Sequence, residues 1–499
     1  MTKPTVYLTG AGPGDAKLIT VNGLELIKKA GCIIYDYLVN PDLLKFARSD
    51  CKLIYVGKKA GSHTLSQDKI NRLLVKQARL YSVVVRLKGG DPFIFGRGAE
   101  EALYLKKNKI DFEIVPGVTS AIAVATYAGI PLTARSQNST VGFITGNEDP
   151  TKKDSNINWD ALSKSLGTMV FLMGIGNLEK IVQKLILSGK SLQTPVAIIR
   201  WGTTAKQQTL TGNLKNIVQL AKKNKITPPA IIVVGEVVKF RKDLNWFEKK
   251  PLLGKRIVVT RTREQASVLS EKLTDLGAQA IEIPTIRITP LCQDREIKDA
   301  LNKEYDWVIF SSQNGVKEFF EFLQRTNKDS RVFCCTKICA IGSETQKALK
   351  KININADYVP AEFCGEAILE HFSRMDLKQK KFLILRAKQA RDILPQGLKK
   401  LGAQVRIIDL YDTCLEKASA PKLRKCLKQG VDLITFASSS TVKNFVALLG
   451  KDYRRLLKSV GIVSIGPITS ATIQEYGLQV SKEARVYTIE GIVKAILKK

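Results

Sequence analysis

The chain has 499 residues and a formal net charge of +33, because 79 lysines and arginines outnumber 46 aspartates and glutamates. A hydrophobic fraction of 44% is ordinary for globular protein, and this length predicts two or three domains. The N-terminus lacks the charged and then apolar build of a signal peptide, and no run of about 18 apolar residues occurs. The sequence therefore predicts a soluble protein that is not exported.

The basic excess is compatible with nucleic acid, an anionic membrane or an acidic small molecule as partner. The lysines are dispersed over predicted helix surfaces, and no basic run is interleaved with aromatic residues, so a solvated surface is favoured over a nucleic-acid-binding protein or a membrane partner. Nine cysteines without a recurrent spacing predict a reducing compartment, the cytoplasm. With only two histidines, His63 and His371, no familiar set of metal ligands can be assembled.

Short β-branched runs alternate with helical stretches from residue 3 to about 240, which predicts an α/β domain. The predicted strands are residues 6–9, 32–35, 83–87, 141–145, 169–173, 196–200 and 231–234. The segment 241–254 is charged and then punctuated by proline and glycine, and a new strand follows at 256–260. We therefore expect a first domain at 1–248, a linker at 249–253 and a second domain at 254–499.

A glycine-rich loop, GAGPGD, follows the first strand, and a helix is expected to begin near Leu18. A dinucleotide-binding loop would need glycine at Asp15, and Pro13 removes a backbone donor that would hold a pyrophosphate. Asp36 ends the next strand, where the ribose-binding acid of a nicotinamide dehydrogenase would stand. That alternative stays open on this loop alone.

A second motif places Gly89, Gly90 and Asp91 directly after a predicted strand. Glycines allow the backbone to approach a ligand closely, and the aspartate could meet a cation or a hydroxyl. A structural turn would not need so long a run of small and polar residues, so a binding function is favoured.

Seven motifs of the first half occur in order: GAGPGD (10–15), YDYLV (35–39), VGKKAG (56–61), VVRLKGGDPFIFGRG (84–98), VPGVTSAIA (115–123), AGIPLT (128–133) and VVGEVV (233–238). Over residues 4 to about 247 the chain resembles the uroporphyrinogen-III C-methyltransferase family. The resemblance implies the two-lobed α/β fold of the tetrapyrrole methylases, a class III methyltransferase fold with S-adenosylmethionine held between the lobes. It also implies a homodimer formed through this half.

The resemblance implies Asp36 as proton acceptor and Lys58 as proton donor. It places these residues around the cofactor: Pro13, Gly89, Gly90, Asp91, Ile94, Thr119, Ser120, Met173 and Gly202. Tyr37, Ala134 and Asn147 depart from an arginine and two histidines that are frequent in the family, which affects the substrate side of the site. Multifunctional relatives carry a dehydrogenase and ferrochelatase module ahead of the methyltransferase, and those activities are not expected here.

The second half contains an internal repeat. Residues 261–279 align with 386–404 at an offset of 125 (386 − 261), 309–319 parallel 435–445, and 340–345 parallel 464–469. The repeat predicts two similar α/β lobes with a site between them, at the carboxyl ends of their strands.

Motifs for a catalytic nucleophile, a phosphate loop or a metal helix are missing between 254 and 499. Loops of serine, threonine and glycine remain, and their hydroxyls and backbone N–H groups could bind carboxylates. The alternative is that the same residues are N-caps of the helices that follow, and both roles can hold for one residue.

Over 254–499 the motifs GKRIVVTR, IFSSQNGVKEFF, AIGSET, VPAEF, LRAKQARDILP, LYDT and SIGPITSAT resemble the uroporphyrinogen-III synthase family. The resemblance implies two α/β lobes joined by strands at 283–288 and 407–413, with a discontinuous first lobe of 254–287 and 413–499. It implies closure of hydroxymethylbilane with inversion of the last ring, without a cofactor. Tyr411 would assist loss of the hydroxyl, and Thr345, Ser438 and Thr469 would hold carboxylates.

Together the two halves predict a bifunctional enzyme of tetrapyrrole biosynthesis. It would cyclise hydroxymethylbilane to uroporphyrinogen III and methylate that product at C2 and C7 to precorrin-2. Small tetrapyrroles are the expected partners. The alternative is a methyltransferase whose second half binds a tetrapyrrole without converting it.

Overall fold

The computed structural model describes residues 5–57, 65–148, 156–260, 263–291, 293–360 and 365–498. They form two compact units, one of residues up to 257 with 271–280, the other of 258–270 with 281–498. The described strands make four sheets of five strands each.

The first sheet is parallel in every pairing, with the order β3-β2-β4-β1-β5. Its strands are β1 (Thr5–Gly10), β2 (Cys32–Tyr35), β3 (Lys52–Tyr55), β4 (Val83–Lys88) and β5 (Asp111–Val115). Its helices are α1 (Val21–Lys29), α2 (Gln67–Ala78) and α3 (Gly98–Lys107). The first helix was expected near Leu18, but only a short 3-10 turn lies there. The α-helix begins later because Thr20 caps it, accepting the Gly23 N–H.

The second sheet is mixed, with the order β6-β7-β10-β8-β9. Its strands are β6 (Val141–Thr145), β7 (Thr168–Leu172), β8 (Pro195–Arg200), β9 (Gln208–Asn213) and β10 (Ala230–Val234). The helices of this half are α4 (Ser120–Tyr127), α5 (Trp159–Ser165), α6 (Leu178–Leu187), α7 (Ile217–Lys223) and α8 (Arg241–Leu244). The central strand β10 is antiparallel to β7 and β8, so those two run in the same direction. Their carboxyl ends therefore lie at one edge.

Ten strands organise the second half: β11 (Arg256–Val259), β12 (Gln279–Glu282), β13 (Ile286–Pro290), β14 (Trp307–Phe310), β15 (Lys337–Ala340), β16 (Lys381–Ala387), β17 (Gln404–Leu415), β18 (Leu433–Phe436), β19 (Gly461–Ser464) and β20 (Lys482–Glu483). Their helices are α9 (Arg263–Asp275), α10 (Asp294–Leu301), α11 (Gln313–Arg325), α12 (Ser343–Lys350), α13 (Gly365–Phe372), α14 (Ile393–Lys400), α15 (Ser419–Lys428), α16 (Ser439–Leu449), α17 (Tyr453–Leu457), α18 (Pro467–Glu475) and α19 (Ile489–Leu497).

The sequence repeat reappears as two sheets of matching order, β12-β11-β18-β19-β20 and β13-β17-β16-β14-β15. The strand pair β11 and β12 corresponds to β16 and β17, and the pair β18 and β19 corresponds to β14 and β15. Each sheet therefore combines the first part of one repeat with the second part of the other. This exchange agrees with the discontinuous first lobe expected from the sequence.

The predicted connection between the lobes is present as an antiparallel pair, β13 and β17, from Ile286 opposite Leu415 to Pro290 opposite Tyr411. The second connecting strand was expected at 407–413, and this range lies within β17. The strand β17 is 12 residues long in all and runs through Tyr411. It can continue there because β13 supplies strand-pairing partners where β16 ends at Ala387.

Candidate functional site

Four loops leave the first sheet at the same edge, because β1, β2, β4 and β5 are parallel. They carry the glycine-rich segment 11–15, Asp36, the segment 89–91 and the segment 116–119. Ligands of open parallel sheets bind at this edge. The topology thus gathers most of the cofactor residues expected from the sequence.

Four glycines hold these loops together backbone to backbone. A Cβ on Gly117 would lie 2.3 Å from the Gly90 carbonyl oxygen and 2.6 Å from the Gly10 Cα. The Gly90 N–H donates to the Gly12 carbonyl at 2.7 Å, and the Gly12 N–H donates back to Gly90 at 3.2 Å. Gly90 has φ +72°, and its own Cβ would meet nothing closer than 3.8 Å. The closest packing therefore lies on the Gly10 and Gly117 side.

The Asp91 carboxylate ties two of the loops together. One oxygen accepts the N–H groups of Phe93 at 2.8 Å and Ile94 at 3.1 Å. The other oxygen accepts the Gly117 N–H at 2.9 Å. The sequence suggested a cation or hydroxyl as its partner, and the structure adds three backbone donors that keep the loops in place.

The glycine-rich loop also contacts the loop after β8. The Asp15 N–H donates to Thr203 Oγ1 at 3.0 Å, and Gly14 lies so close that its Cβ would be 2.8 Å from the same oxygen. The Tyr127 hydroxyl donates to the Asp15 carboxylate at 2.9 Å, and burial together with this carboxylate raises the pKa of Tyr127. Asp15 thus links the loop after β1 to helix α4 and to the loop after β8.

Met173 and Gly202 follow β7 and β8 at one edge of the second sheet. Met173 has φ +57° and is 52% exposed, which is unusual for a large apolar residue in that conformation. A Cβ on Gly202 would lie 2.3 Å from Val124 Cγ1, so this loop packs directly on α4. Both residues thus lie at the edge where the carboxyl ends of β7 and β8 meet.

The other residues expected around the cofactor occupy the loops already described. Thr119 is buried and caps α4, accepting the Ala121 N–H at 3.4 Å, and Ser120 is the first residue of that helix. Ile94 is 37% exposed in the loop after β4, and Pro13 is half-buried between Gly12 and Gly14.

Asp36 directly follows β2 and is 27% exposed. One carboxylate oxygen accepts the Leu38 N–H at 3.1 Å, and the other lies 3.6 Å from Arg86 Nη2. Lys58, its expected proton-donating counterpart, lies outside the described residues.

In the second half, Tyr411 is almost fully buried, with 5% of its surface exposed, in the core of the β13-to-β17 sheet. Its hydroxyl lies 2.8 Å from Ser312 Oγ, which also caps α11 by accepting the Gly315 N–H at 3.1 Å. Burial raises the pKa of Tyr411, and hydrogen bonds from Ser312 and Asn314 oppose that shift. The phenol is therefore hydrogen-bonded to a serine at the sheet edge.

The three expected carboxylate-binding residues have different surroundings. Ser438 caps α16 with a capping box, accepting the Thr441 N–H at 3.3 Å. Thr345 and Thr469 occupy matching places in the first turns of α12 and α18, and both are 4% exposed. Those helices begin after Gly342 and Gly466, which provide no side-chain cap. Neither helix N-terminus is thus closed by a cap side chain, and the two threonines are largely covered.

Two features of the site were missed by the sequence reasoning. The first is the buried pairing of Arg86 and Lys88, two residues apart on β4, with Glu101. Two cations inside a β-branched run were the sequence signal that could have revealed it. The contact of Ser312 with Tyr411 joins residues 99 apart, and nothing in the sequence pairs them.

No helix among the described residues is long and apolar enough to cross a membrane. Within the same residues, no three histidine, cysteine, aspartate or glutamate side chains are grouped as ligands for a metal ion.

The chain matches two protein families. Residues 5–218 match Tetrapyrrole (Corrin/Porphyrin) Methylases, and residues 267–494 match Uroporphyrinogen-III synthase HemD. Both matches agree with the α/β sheets of the two halves, so the predicted fold class is confirmed.

Similar proteins cover the whole chain or its first half. "Porphyrin biosynthesis protein HemD" of Ruminiclostridium josui is 37% identical over 99% of this chain and 97% of its own length. "S-adenosyl-L-methionine-dependent uroporphyrinogen III methyltransferase" of Methanosarcina barkeri is 51% identical over 47% of this chain and 91% of its own. The Thermus thermophilus uroporphyrin-III C-methyl transferase, solved with S-adenosyl homocysteine, is 35% identical with a TM-score of 0.41, covering 47% of this chain and 99% of that one.

Proposed function

The chain belongs to the tetrapyrrole methylase and uroporphyrinogen-III synthase families, fused in that order, and we propose that it carries out two successive reactions of tetrapyrrole biosynthesis. The second half closes hydroxymethylbilane to uroporphyrinogen III with inversion of ring D. The first half methylates that product at C2 and C7, with S-adenosylmethionine as methyl donor, to give precorrin-2.

One observation supports the methyl-transfer site above all others: the loops after the parallel strands β1, β4 and β5 meet where a Cβ atom on Gly10 or Gly117 would clash with backbone. Such a surface lets a ligand lie against main-chain atoms. The loops would hold S-adenosylmethionine through Pro13, Gly89, Gly90, Asp91 and the other residues named above as cofactor contacts.

Methyl transfer breaks the carbon–sulfur bond of the sulfonium and leaves a neutral thioether. The pyrrole carbon gains the methyl group, and the macrocycle afterwards loses one proton for each methylation. Asp36 accepts that proton, and its partly exposed carboxylate directly after β2 supports this role. Lys58 acts as proton donor.

In the second half the substrate supplies its own leaving group, so the protein mainly folds and holds the chain. Tyr411 assists departure of the hydroxyl, and its hydrogen bond with Ser312 supports this because it connects a neutral phenol to the sheet edge. Thr345, Ser438 and Thr469 hold carboxylates together with the uncapped N-termini of α12 and α18.

The domain boundaries proposed are 1–248 for the methyltransferase, 249–253 for the linker and 254–499 for the synthase. Glu248 supports the first boundary, because it accepts hydrogen bonds from Gln207 and Thr209 of the methyltransferase half. A homodimer through the first half and a cytoplasmic location stay predictions, and sedimentation of the purified chain tests the dimer.

Separate assays test the two activities. Uroporphyrinogen III with S-adenosylmethionine should gain two methyl groups, and hydroxymethylbilane alone should give the type-III isomer. A chain that binds hydroxymethylbilane but yields only the spontaneous type-I isomer would instead be a methyltransferase with a non-catalytic second half.

A further inference from the structure

A cluster of buried charges lies directly behind Asp36. Arg86 and Lys88 are two residues apart on β4 and so face the same side of the sheet. Their side chains are 4% and 5% exposed, and Glu101, in the first turn of α3, is fully buried between them. Charges this deeply buried persist only when they are paired.

Glu101 is the centre of the cluster. One of its oxygens lies 3.2 Å from Arg86 Nε and 3.1 Å from Lys88 Nζ, and it also accepts the Gln67 amide at 3.2 Å. Burial lowers the pKa of Lys88, and the neighbouring Arg86 acts in the same direction. Two cations thus share one buried carboxylate, and the carboxylate that balances the second charge is Asp36.

The guanidinium of Arg86 has little freedom to turn. Its Nε is held by Glu101, and its Nη1 donates to the Leu87 carbonyl at 3.1 Å and to the Ile34 carbonyl at 3.4 Å. Because the guanidinium is a rigid planar fork, these contacts fix the direction of Nη2. That nitrogen points toward Asp36, 3.6 Å from its Oδ2.

We propose that Arg86, held by Glu101, is a positioning residue for methyl transfer that keeps the Asp36 carboxylate turned toward the proton it receives. The inference rests on the proposed role of Asp36. Among the described residues, the Asp36 carboxylate accepts one backbone N–H, from Leu38, and with 27% of its side chain exposed it has another rotamer available. The ion pair with the buried Arg86 restricts the Asp36 side chain to one rotamer.

The test variant is Arg86→Met in the full-length chain, which keeps an unbranched side chain and leaves Glu101 paired with Lys88. We expect kcat for methylation of uroporphyrinogen III to fall about a hundredfold, the usual cost of misplacing a reacting group by about 1 Å. The KM for uroporphyrinogen III and the calorimetric Kd for S-adenosylmethionine should stay at wild-type values, because the Arg86 side chain is only 4% exposed and so offers almost no surface to either ligand. Arg86→Lys, which keeps the charge without the fork, should restore part of kcat.

Gln67→Leu is the matched control, because it removes a hydrogen bond to Glu101 without touching Arg86 or Asp36. It should lower Tm and leave kcat unchanged. Cyclisation of hydroxymethylbilane by the same preparations checks that the rest of the chain is folded.

The outcomes separate the possible failures. If the wild-type chain does not methylate uroporphyrinogen III, the proposed function is wrong and this inference falls with it. If the wild type methylates and Arg86→Met keeps its kcat, only the positioning role is overturned. In a third outcome, both Arg86→Met and Gln67→Leu lower kcat, raise KM and weaken cofactor binding in proportion to their fall in Tm. The cluster then supports the fold alone, and the positioning role is again wrong.

Discussion

The two halves of the chain build their candidate sites from different materials. In the first half, loops meet through glycines at distances that exclude any side chain, with a carboxylate, Asp91, tying them together. In the second half, the sheet edges carry hydroxyl groups that either serine or threonine can provide, together with helix N-termini that have no side-chain cap and one buried tyrosine. At the positions of the first arrangement few other residue types fit, whereas the positions of the second accept many.

This difference predicts that the sequence is more narrowly constrained at the first site than at the second. At Gly10 and Gly117 an alanine methyl would meet backbone atoms of another loop, which have no room to move. At a helix N-terminus the donors are main-chain N–H groups that every residue except proline provides, and serine or threonine can replace one another as caps. Sequence is therefore constrained where contacts are backbone to backbone.

Adding a side chain where the loops meet backbone to backbone should have the largest effect on activity. Gly117→Ala puts a methyl group 2.3 Å from the Gly90 carbonyl oxygen, so the loops must separate. We expect calorimetric binding of S-adenosylmethionine to disappear and methyl transfer to fall by more than about a hundredfold, while cyclisation continues.

Gly176→Ala is the control, since nothing lies within 4 Å of the Cβ it would add. It should methylate at the wild-type rate. A Gly117→Ala chain that still binds the cofactor normally would show that the close packing of these loops has no role in the site.

The counterpart in the second half is Tyr411→Phe, for which we expect cyclisation to slow about a hundredfold, as for loss of one positioned proton donor. The fold should survive, because the lost hydrogen bond to Ser312 stabilises it by only about 1 kcal/mol. The type-III isomer formed at the wild-type rate would leave the phenol without a catalytic role. Early melting with loss of both binding and turnover would make it a core residue only.

A smaller effect is expected from Asp91→Ala, which releases the N–H groups of Phe93, Ile94 and Gly117. Calorimetry should show S-adenosylmethionine binding weakened about tenfold, or about 1.4 kcal/mol, with cyclisation unchanged. Asp91→Asn keeps an acceptor oxygen for the first two donors and should lose less. Equal affinity in all three chains would remove Asp91 from the cofactor site.

The smallest effect should come from cutting the chain at about residue 250, in the polar linker. Each piece, expressed alone, should fold and keep its own rate, because the patterns on both sides are complete. Circular dichroism and the two separate assays measure this. Two inactive pieces would contradict the modular organisation.

Much of this organisation could be predicted from the sequence. β-Branched runs located seven of the ten described strands of the first half, all but β3, β5 and β9, and the 125-residue repeat anticipated the matching sheets of the second. The start of α1 was misplaced because a 3-10 turn at Ala16–Leu18 precedes the Thr20 cap, and local propensity does not separate the two.

The contacts within the sites could not be predicted, because they join residues distant in the chain. Asp15 meets Thr203 across 188 residues, and Tyr411 meets Ser312 across 99. The strand β17 extends as far as Leu415 because its second partner, β13, comes from over 100 residues away. Pairing of this kind depends on tertiary structure rather than on local pattern.

The central claim is that one chain closes hydroxymethylbilane and then methylates the product. The most direct measurement supplies hydroxymethylbilane as the only tetrapyrrole, with and without S-adenosylmethionine, and determines the isomer and the number of added methyl groups by chromatography and mass spectrometry. We predict uroporphyrinogen III without the methyl donor and its dimethylated product, precorrin-2, with it. Type-I isomer in both reactions, or type-III isomer that gains no methyl group, would contradict the account.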